Sequence, residues 1–187
     1  MNLGLEELVT KYSAPVGMGT NAGTDKSTWH SYVDTYARLF DPIRHEVTRV
    51  IELGVDSGAS LCVFAEYFPN ARVTGMDIDL SHYVFHHPRA DLVQADATNP
   101  GRYATAADII IDDASHKLED QMAAIMIWGP LARKMMIVED VVMKLGVDLA
   151  FKAVAEAVGM SCEIVDLRHV KGRFDDVLVI LKPKFSL

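Results

Sequence analysis

The chain has 187 residues, of which 50% are hydrophobic and 24% charged, and its formal net charge is −8. That length suits one domain with a full hydrophobic core. The acidic balance, with no basic block, argues against a nucleic-acid or anionic-membrane partner.

The two cysteines, Cys62 and Cys162, both lie in apolar segments. Two cannot build a disulfide framework and their spacing is too wide for a zinc motif, so both are read as core residues in a reducing compartment. The opening Met1-Asn2-Leu3-Gly4-Leu5 lacks the basic-then-apolar order of a signal peptide. No apolar run approaches the roughly 20 residues of a membrane span. A cytoplasmic protein with no membrane association is expected.

In chain order, the small-residue segment from Gly17 to Lys26 reads as a flexible loop that either closes over a ligand or leads into the fold. Thr28 to Phe40 reads as a helix carrying Trp29, Tyr32, Val33, Tyr36, Leu39 and Phe40 on one stripe. Seven strands are predicted, at Arg49–Gly54, Arg72–Ile78, Ala90–Ala95, Asp108–Asp112, Lys134–Val138, Cys162–Arg168 and Asp176–Lys182. Most are short, rich in Val and Ile, and bounded by Gly, Pro or charge. Helices are predicted between the earlier strands. Ser60 to Phe68 opens on a good N-cap residue, Lys117 to Trp128 is stopped by Gly129-Pro130, and Gly146 to Val158 is closed by Gly159. This alternation predicts an α/β fold with a doubly wound, seven-stranded, mostly parallel Rossmann-like sheet. The last two strands are too close for a crossover helix and should form an antiparallel hairpin. One domain over 1–187 is expected, with 1–45 as a helical cap and loop and 46–187 as the core.

The strand ends carry the chemistry. Glu52-Leu53-Gly54-Val55-Asp56-Ser57-Gly58-Ala59-Ser60 is a strand end, a glycine loop and a helix start. Its two glycines let the backbone turn tightly and approach a ligand, and the helix offers free N–H groups. The Gly-x-x-x-Gly spacing is not that of dinucleotide enzymes, and the loop carries Asp56 and no P-loop lysine, which disfavours polyphosphates. Glu52 suits a ligand with an amino group. Asp77, at the next strand end, can accept both hydroxyls of a ribose. Asp96, followed by Ala97, stands where the exocyclic amine of adenine can donate. A nucleoside without phosphates but with an amino-acid tail fits all three acids, and that is S-adenosylmethionine. Two later strands end in Asp112-Asp113-Ala114-Ser115-His116 and Glu139-Asp140. Asp113, Glu139 and Asp140 supply oxygen ligands for a hard divalent cation, with His116 beside them as a titratable base.

These motifs resemble class I S-adenosylmethionine-dependent methyltransferases. The order Gly23-Thr24-Asp25-Lys26, His30-x-Tyr32-x-x-x-Tyr36, Asp112-Asp113-x-Ser115-His116 and Val138-Glu139-Asp140 is more specific. It resembles the metal-dependent small-molecule O-methyltransferases, among them the macrocin and mycinamicin sugar O-methyltransferases and the cephalosporin hydroxyl methyltransferase. The resemblance implies Mg2+ on Asp113, Glu139 and Asp140, with His116 as general base. It implies cofactor contacts from Glu52, Gly54, Gly58, Ser60, Asp77, Asp96, Ala97, Asp112 and Lys26. For Lys26 and His30 a loop-fixing role stands open beside a ligand contact. A small-molecule hydroxylated acceptor follows, because a hydroxyl is a very weak acid and needs both a Lewis acid and a base. Leu131-Ala132-Arg133-Lys134 departs from the family's Gly-Gly turn. The chain ends soon after its seventh strand, so an open acceptor pocket or a homo-oligomer is expected.

Two other readings remain at this stage. A non-catalytic S-adenosylmethionine-binding module partnering another enzyme fits the short chain. A nicotinamide-dependent oxidoreductase fits the sheet but not the glycine spacing or the terminal hairpin. The His82, His86 and His87 loop is expected to border the cofactor rather than bind metal, and His45 and His169 to be solvated.

Overall fold

Strands β1 (Arg49–Leu53), β2 (Arg72–Asp77), β3 (Ala90–Gln94), β4 (Ala107–Asp112), β5 (Ala132–Val138), β6 (Met160–Asp166) and β7 (Val177–Pro183) form one sheet. Its order is β3-β2-β1-β4-β5-β7-β6. This is a computed structural model, and it describes residues 3–13 and 23–184. Pairing is parallel from β3 through β5, and β7 is antiparallel to both β5 and β6. The predicted seven-stranded sheet with a terminal antiparallel hairpin is therefore observed, with each strand within about two residues of its expected bounds.

Helices cover both faces. Here α1 (Leu5–Tyr12), α2 (Val33–Phe40) and α3 (Ala59–Tyr67) pack on one side, and α4 (Leu118–Trp128) and α5 (Val147–Ala157) on the other. Burial of both faces explains why the central strands read as continuous Val/Ile runs rather than alternating ones. The first face is held by an aromatic cluster in which Phe40 touches Tyr36, Phe64, Tyr67 and Phe68, at ring-centroid distances of 4.9 to 6.4 Å. Each such fully buried ring contributes about 1.5–3 kcal/mol by area alone.

Two helix starts differ from expectation. Thr28 to Phe40 was expected as one helix, but α2 begins at Val33 and residues 26–29 form a turn. The cause is polar: Lys26 and His30 are both buried, and the chain must bend to bring them inward. Trp29 leaves the stripe, stands 52% exposed and lies under the Arg173 guanidinium, 4.1 Å from its ring centroid. Helix α3 starts at Ala59 with Gly58 at the N-cap, so Ser60 is not the cap; its hydroxyl serves Glu52 instead. Sequence reading also passed over α1 and α6 (Arg168–Lys171), a single turn between β6 and β7. Of the expected loop from Gly17 to Lys26, residues 17–22 lie outside the described residues. Among the described residues no helix is long and apolar enough to cross a membrane.

Candidate active site

Register sets the geometry of the site. Leu53 pairs with Asp112 and Asp112 with Val138, so β1, β4 and β5 end in one line. The next residues, Gly54, Asp113 and Glu139, form a row along the carboxyl edge. Asp113 N donates to Leu53 O at 2.8 Å and Glu139 N to Asp112 O at 2.9 Å. Side chains alternate along a strand. Glu52 therefore shares the face of Val50, and Asp113 and Glu139 that of Ile111 and Ile137, all toward α2 and α3. Asp112 follows Ile110 toward α4.

Gly54 makes the row possible. Its φ is +85°, and a Cβ there would stand 2.0 Å from the Asp113 carbonyl oxygen. Gly58, at φ +84°, packs against the Tyr83 ring, where a Cβ would come within 2.2 Å of Cε2. Val84 N and Phe85 N both donate to Ser57 O at 3.0 Å, so the His82–Pro88 loop borders the glycine loop.

Two clefts meet across Gly54, Val55, Asp56, Asp113 and Ala114. The larger, about 400 Å3, is lined by Asp77, Ile78, Asp96, Ala97, Asp112 and Gln121 among others. The smaller, about 250 Å3, is lined by Lys26, Ser57, Ser60, His116 and Asp140 among others. Beneath them Glu52 is fully buried. Ser60 Oγ donates to its Oε2 at 2.8 Å, its Oε1 has no hydrogen-bond partner, and burial pushes its pKa up to about 8. Asp77 fastens the glycine loop, its Oδ2 accepting from Val55 N at 2.7 Å and Asp56 N at 3.3 Å. Asp96 is exposed and accepts at Oδ1 from Thr98 N and Thr98 Oγ1. Burial, reinforced by neighbouring Asp113, raises Asp112 to about 7, and its Oδ2 is unpartnered.

At the far end three acids surround one lysine. Lys26 Nζ lies 2.9 Å from Asp113 Oδ2, 2.8 Å from the Glu139 carboxylate and 3.9 Å from Glu52 Oε1. Burial alone would lower its pKa, but Asp113 and Glu139 more than offset that and hold it well above the usual value. Tyr36 Oη donates to Glu139, and Tyr32 Oη donates to Asp140 Oδ1 at 2.5 Å. Burial pushes Glu139 well up and Asp140 to about 6. His116 stands between two carboxylates, with Nε2 3.2 Å from Asp113 Oδ1 and Nδ1 3.4 Å from Asp140 Oδ2. The hydrogen bond to Asp113 raises it to about 9. His116 (φ +56°) and Asp140 (φ +54°) both adopt left-handed backbone. For non-glycine residues that costs on the order of 1–3 kcal/mol each, and such strain concentrates at functional sites.

No family model matches the chain. It is 34% identical over 114 residues to the 8-demethyl-8-alpha-L-rhamnosyl tetracenomycin-C 2'-O-methyltransferase of Streptomyces olivaceus, a match covering 54% of this chain and 30% of that protein. It is 30% identical over 126 residues to the demethylmacrocin O-methyltransferase of Streptomyces fradiae, covering 60% of this chain and 29% of that protein. The matched part therefore spans under a third of the curated relatives. The MycE methyltransferase of the mycinamycin biosynthetic pathway, solved in complex with Mg and SAH, superposes with a TM-score of 0.74 at 21% identity, over 97% of this chain and 55% of that one. CalS10, a SAM-bound amino pentose methyltransferase from Micromonospora echinaspora, gives a TM-score of 0.64 at 14% identity, over 92% and 100%. The fold is the Rossmann-like methyltransferase fold. The family resemblance drawn from the motifs is borne out by these likenesses.

In that fold the described residues offer a cofactor three fitting features: an orphaned buried oxygen on Glu52, another on Asp112, and a loop that only glycine allows at position 54. A divalent cation is offered Asp113, His116 and Asp140, each with one ligand atom, all within 4.8 Å of one another. This donor set of carboxylate oxygens and imidazole fits a hard or borderline cation. The Glu139 carboxylate, expected with Asp113 and Asp140, accepts from Lys26 and Tyr36, and Asp113 shares that lysine. The His82 loop belongs to no metal-holding group among the described residues; His82 Nδ1 lies 3.4 Å from Asp56 Oδ1.

Sequence reading missed three contributors. Gln121 is buried and donates from Nε2 to Glu139 O at 3.0 Å, fixing the end of β5. Asp120 accepts from Ser115 Oγ at 2.6 Å. Asp176, fully buried on the hairpin, accepts from Ser31 N at 3.0 Å. A carboxylate directly before a Val-Leu-Val-Ile strand was the one available signal for Asp176.

Proposed function

We propose that this chain binds S-adenosylmethionine across the joined clefts and, with a divalent cation such as Mg2+, transfers its methyl group to a hydroxyl of a small molecule. A sugar of a secondary metabolite is the acceptor class that the similarity to the tetracenomycin and macrocin enzymes supports. The observation that carries the reading is Asp113: it lines both clefts and is also one of the three residues whose ligand atoms converge. Cofactor and cation sites thereby share a wall.

Each residue's part follows from its place. Glu52 presents its free Oε1 to the amino group of the cofactor's amino-acid tail. Asp77 and Asp96 face the larger cleft, where ribose hydroxyls and an adenine amine can donate to their remaining lone pairs. Asp113 and Asp140, with Glu139 completing the set, would hold the cation and leave His116 as the base. A divalent cation there supplies Lewis acidity that lowers the pKa of an acceptor hydroxyl and offsets the carboxylate field that keeps His116 protonated. Neutral His116 takes the hydroxyl proton as that oxygen bonds to the methyl carbon and the carbon–sulfur bond breaks. The products are a methyl ether and S-adenosylhomocysteine. Alignment of acceptor and sulfonium by the two clefts supplies much of the acceleration.

Calorimetric titration with S-adenosylhomocysteine, with Mg2+ and then with EDTA, tests the reading. Micromolar-range binding followed by Mg2+-dependent methylation of a rhamnosyl or other glycosyl acceptor is the expected result. Absence of binding in both conditions would remove the cofactor and the reaction together. One observation favours a second reading, a cofactor-binding module without metal: Lys26 already balances Asp113 and Glu139. Binding indifferent to EDTA, with no transfer to any hydroxylated acceptor, would select it.

A further inference from the structure

Behind Asp140 lies a buried pair that the proposed reaction does not use. His30 is 2% exposed, stacked on Tyr32 with ring centroids 4.8 Å apart. Its Nδ1 stands 3.4 Å from Asp140 Oδ1 and 3.6 Å from Asp176 Oδ1, and it has no hydrogen-bond partner. Asp176, at 0% exposure, holds Ser31 N with Oδ1 and leaves Oδ2 unpartnered. One carboxylate oxygen and one imidazole nitrogen, both buried and without a hydrogen-bond partner, are each costly, on the order of 1–3 kcal/mol. Packing alone gives no reason for them, because a hydrophobic pair would fill the same space without that cost. The hairpin that carries Asp176 is also tied down here. Lys171 Nζ donates to the carbonyls of Ser27 and His30, and Tyr32 Oη lies 3.3 Å from Asp175 O.

We infer that His30 and Asp176 are positioning residues that clamp the rear oxygen of Asp140, so that a divalent cation meets its front oxygen in a fixed orientation. The two oxygens of Asp140 are already differentiated. Oδ1 faces Tyr32 and His30 in the interior, while Oδ2 faces His116. Asp176 keeps the Nδ1 edge of the imidazole turned toward Asp140, with the other ring nitrogen 3.8 Å from Asp25 Oδ2. Partners behind a ligating carboxylate set its orientation and basicity, and losing one costs a cation site about 10- to 100-fold in affinity. The C-terminal hairpin thereby becomes part of the cation site without contributing a ligand. The inference rests on the cation half of the proposed function.

Mn2+ binding followed by electron paramagnetic resonance tests it without recourse to turnover. In the full chain, His30→Ala should weaken Mn2+ by about 10- to 100-fold. Asp176→Asn retains an oxygen for Ser31 N but removes the charge and puts an amide donor in place of the second oxygen, and should weaken Mn2+ in the same direction. His30→Gln, which keeps an N–H donor, should recover most of the loss. S-adenosylhomocysteine affinity should stay at the wild-type value in all three, whereas a merely structural role would lower both affinities together. Wild-type Mn2+ binding that neither His30→Ala nor Asp176→Asn alters would overturn the clamp and leave the proposed function standing. No Mn2+ binding by the wild type would overturn the cation half of that function and the clamp with it.

Discussion

Lys26 Nζ lies 2.9 Å from Oδ2 of Asp113, 87 positions along the chain, and the pair fastens the N-terminal segment to the end of β4. This contact decides the charge of the site. Without it Asp113 and Glu139 would face each other in a desolvated pocket with Glu52 close by. Lys26→Met removes the only ammonium among the described residues within reach of all three and leaves buried carboxylates uncompensated, a change that costs about 3–5 kcal/mol. Chemical denaturation should show that loss, and millimolar Mg2+ should restore more stability to the variant than it adds to the wild type. A variant as stable as the wild type would show that Lys26 is not what compensates the cluster.

Gly54→Ala should destroy cofactor binding. The added Cβ would fall 2.0 Å from the Asp113 carbonyl oxygen, which is backbone and cannot swing aside. The left-handed φ adds about 1–3 kcal/mol of strain for a residue with a side chain. The strand ends that bear Asp113 and Glu52 must then separate. Calorimetry should find no S-adenosylhomocysteine binding in a chain whose circular dichroism still reports the sheet. Unchanged affinity would show that the row is more pliant than its packing implies.

The strands were legible because a sheet covered on both faces demands unbroken Val/Ile runs, as in Ile109-Ile110-Ile111. The acids that end them were legible for the same reason, since a carboxylate can follow such a run only at the edge. The start of α2 was not legible. The stripe from Trp29 to Phe40 has helical spacing, and only the burial of Lys26 and His30 against acids from distant strands diverts its first turn. The direction of Glu139 was hidden too. Its neighbour Asp140 suggested a shared ion, and its pairing with Lys26, 113 residues away in sequence, could not be read locally. Asp176 was placed at the start of the seventh strand, directly before Val177-Leu178-Val179-Ile180, but its burial against Ser31 and His30 comes from a segment some 145 residues earlier and could not be read locally.

Glu52 gives the ligand-free protein a definite pH dependence. Its pKa is pushed from an ordinary carboxylate value of 4.5 up to about 8, chiefly by burial. The folded chain then keeps a proton that the unfolded chain releases, so this group's contribution is most favourable below pH 4.5 and declines as pH rises toward about 8. Glu52→Gln carries no such proton. Thermal unfolding across this range should show the variant gaining on the wild type as pH rises, with the gap levelling off above about pH 8. The same variant should bind S-adenosylhomocysteine more weakly, because an amide does not carry the charge that an ammonium seeks. A gap independent of pH would mean that Glu52 is ionised throughout.

His116 separates binding from chemistry. Its ring lines the smaller cleft and touches Asp113 and Asp140, while Glu52, Asp77 and Asp96, which would hold the cofactor, lie outside its contacts. His116→Ala should therefore leave S-adenosylhomocysteine affinity near the wild-type value. Loss of a positioned base typically costs about 10^2- to 10^4-fold in rate. His116→Gln, which fills similar space and still hydrogen-bonds Asp113, should be equally slow, because an amide cannot accept the hydroxyl proton. Single-turnover transfer to a glycosylated acceptor at saturating Mg2+ measures the chemical step directly. Near-normal rates in His116→Gln would reduce His116 to an orienting partner of Asp113 and assign proton removal to another group. Equal loss of rate and of Mn2+ affinity in both variants would instead identify the imidazole as a ligand of the cation.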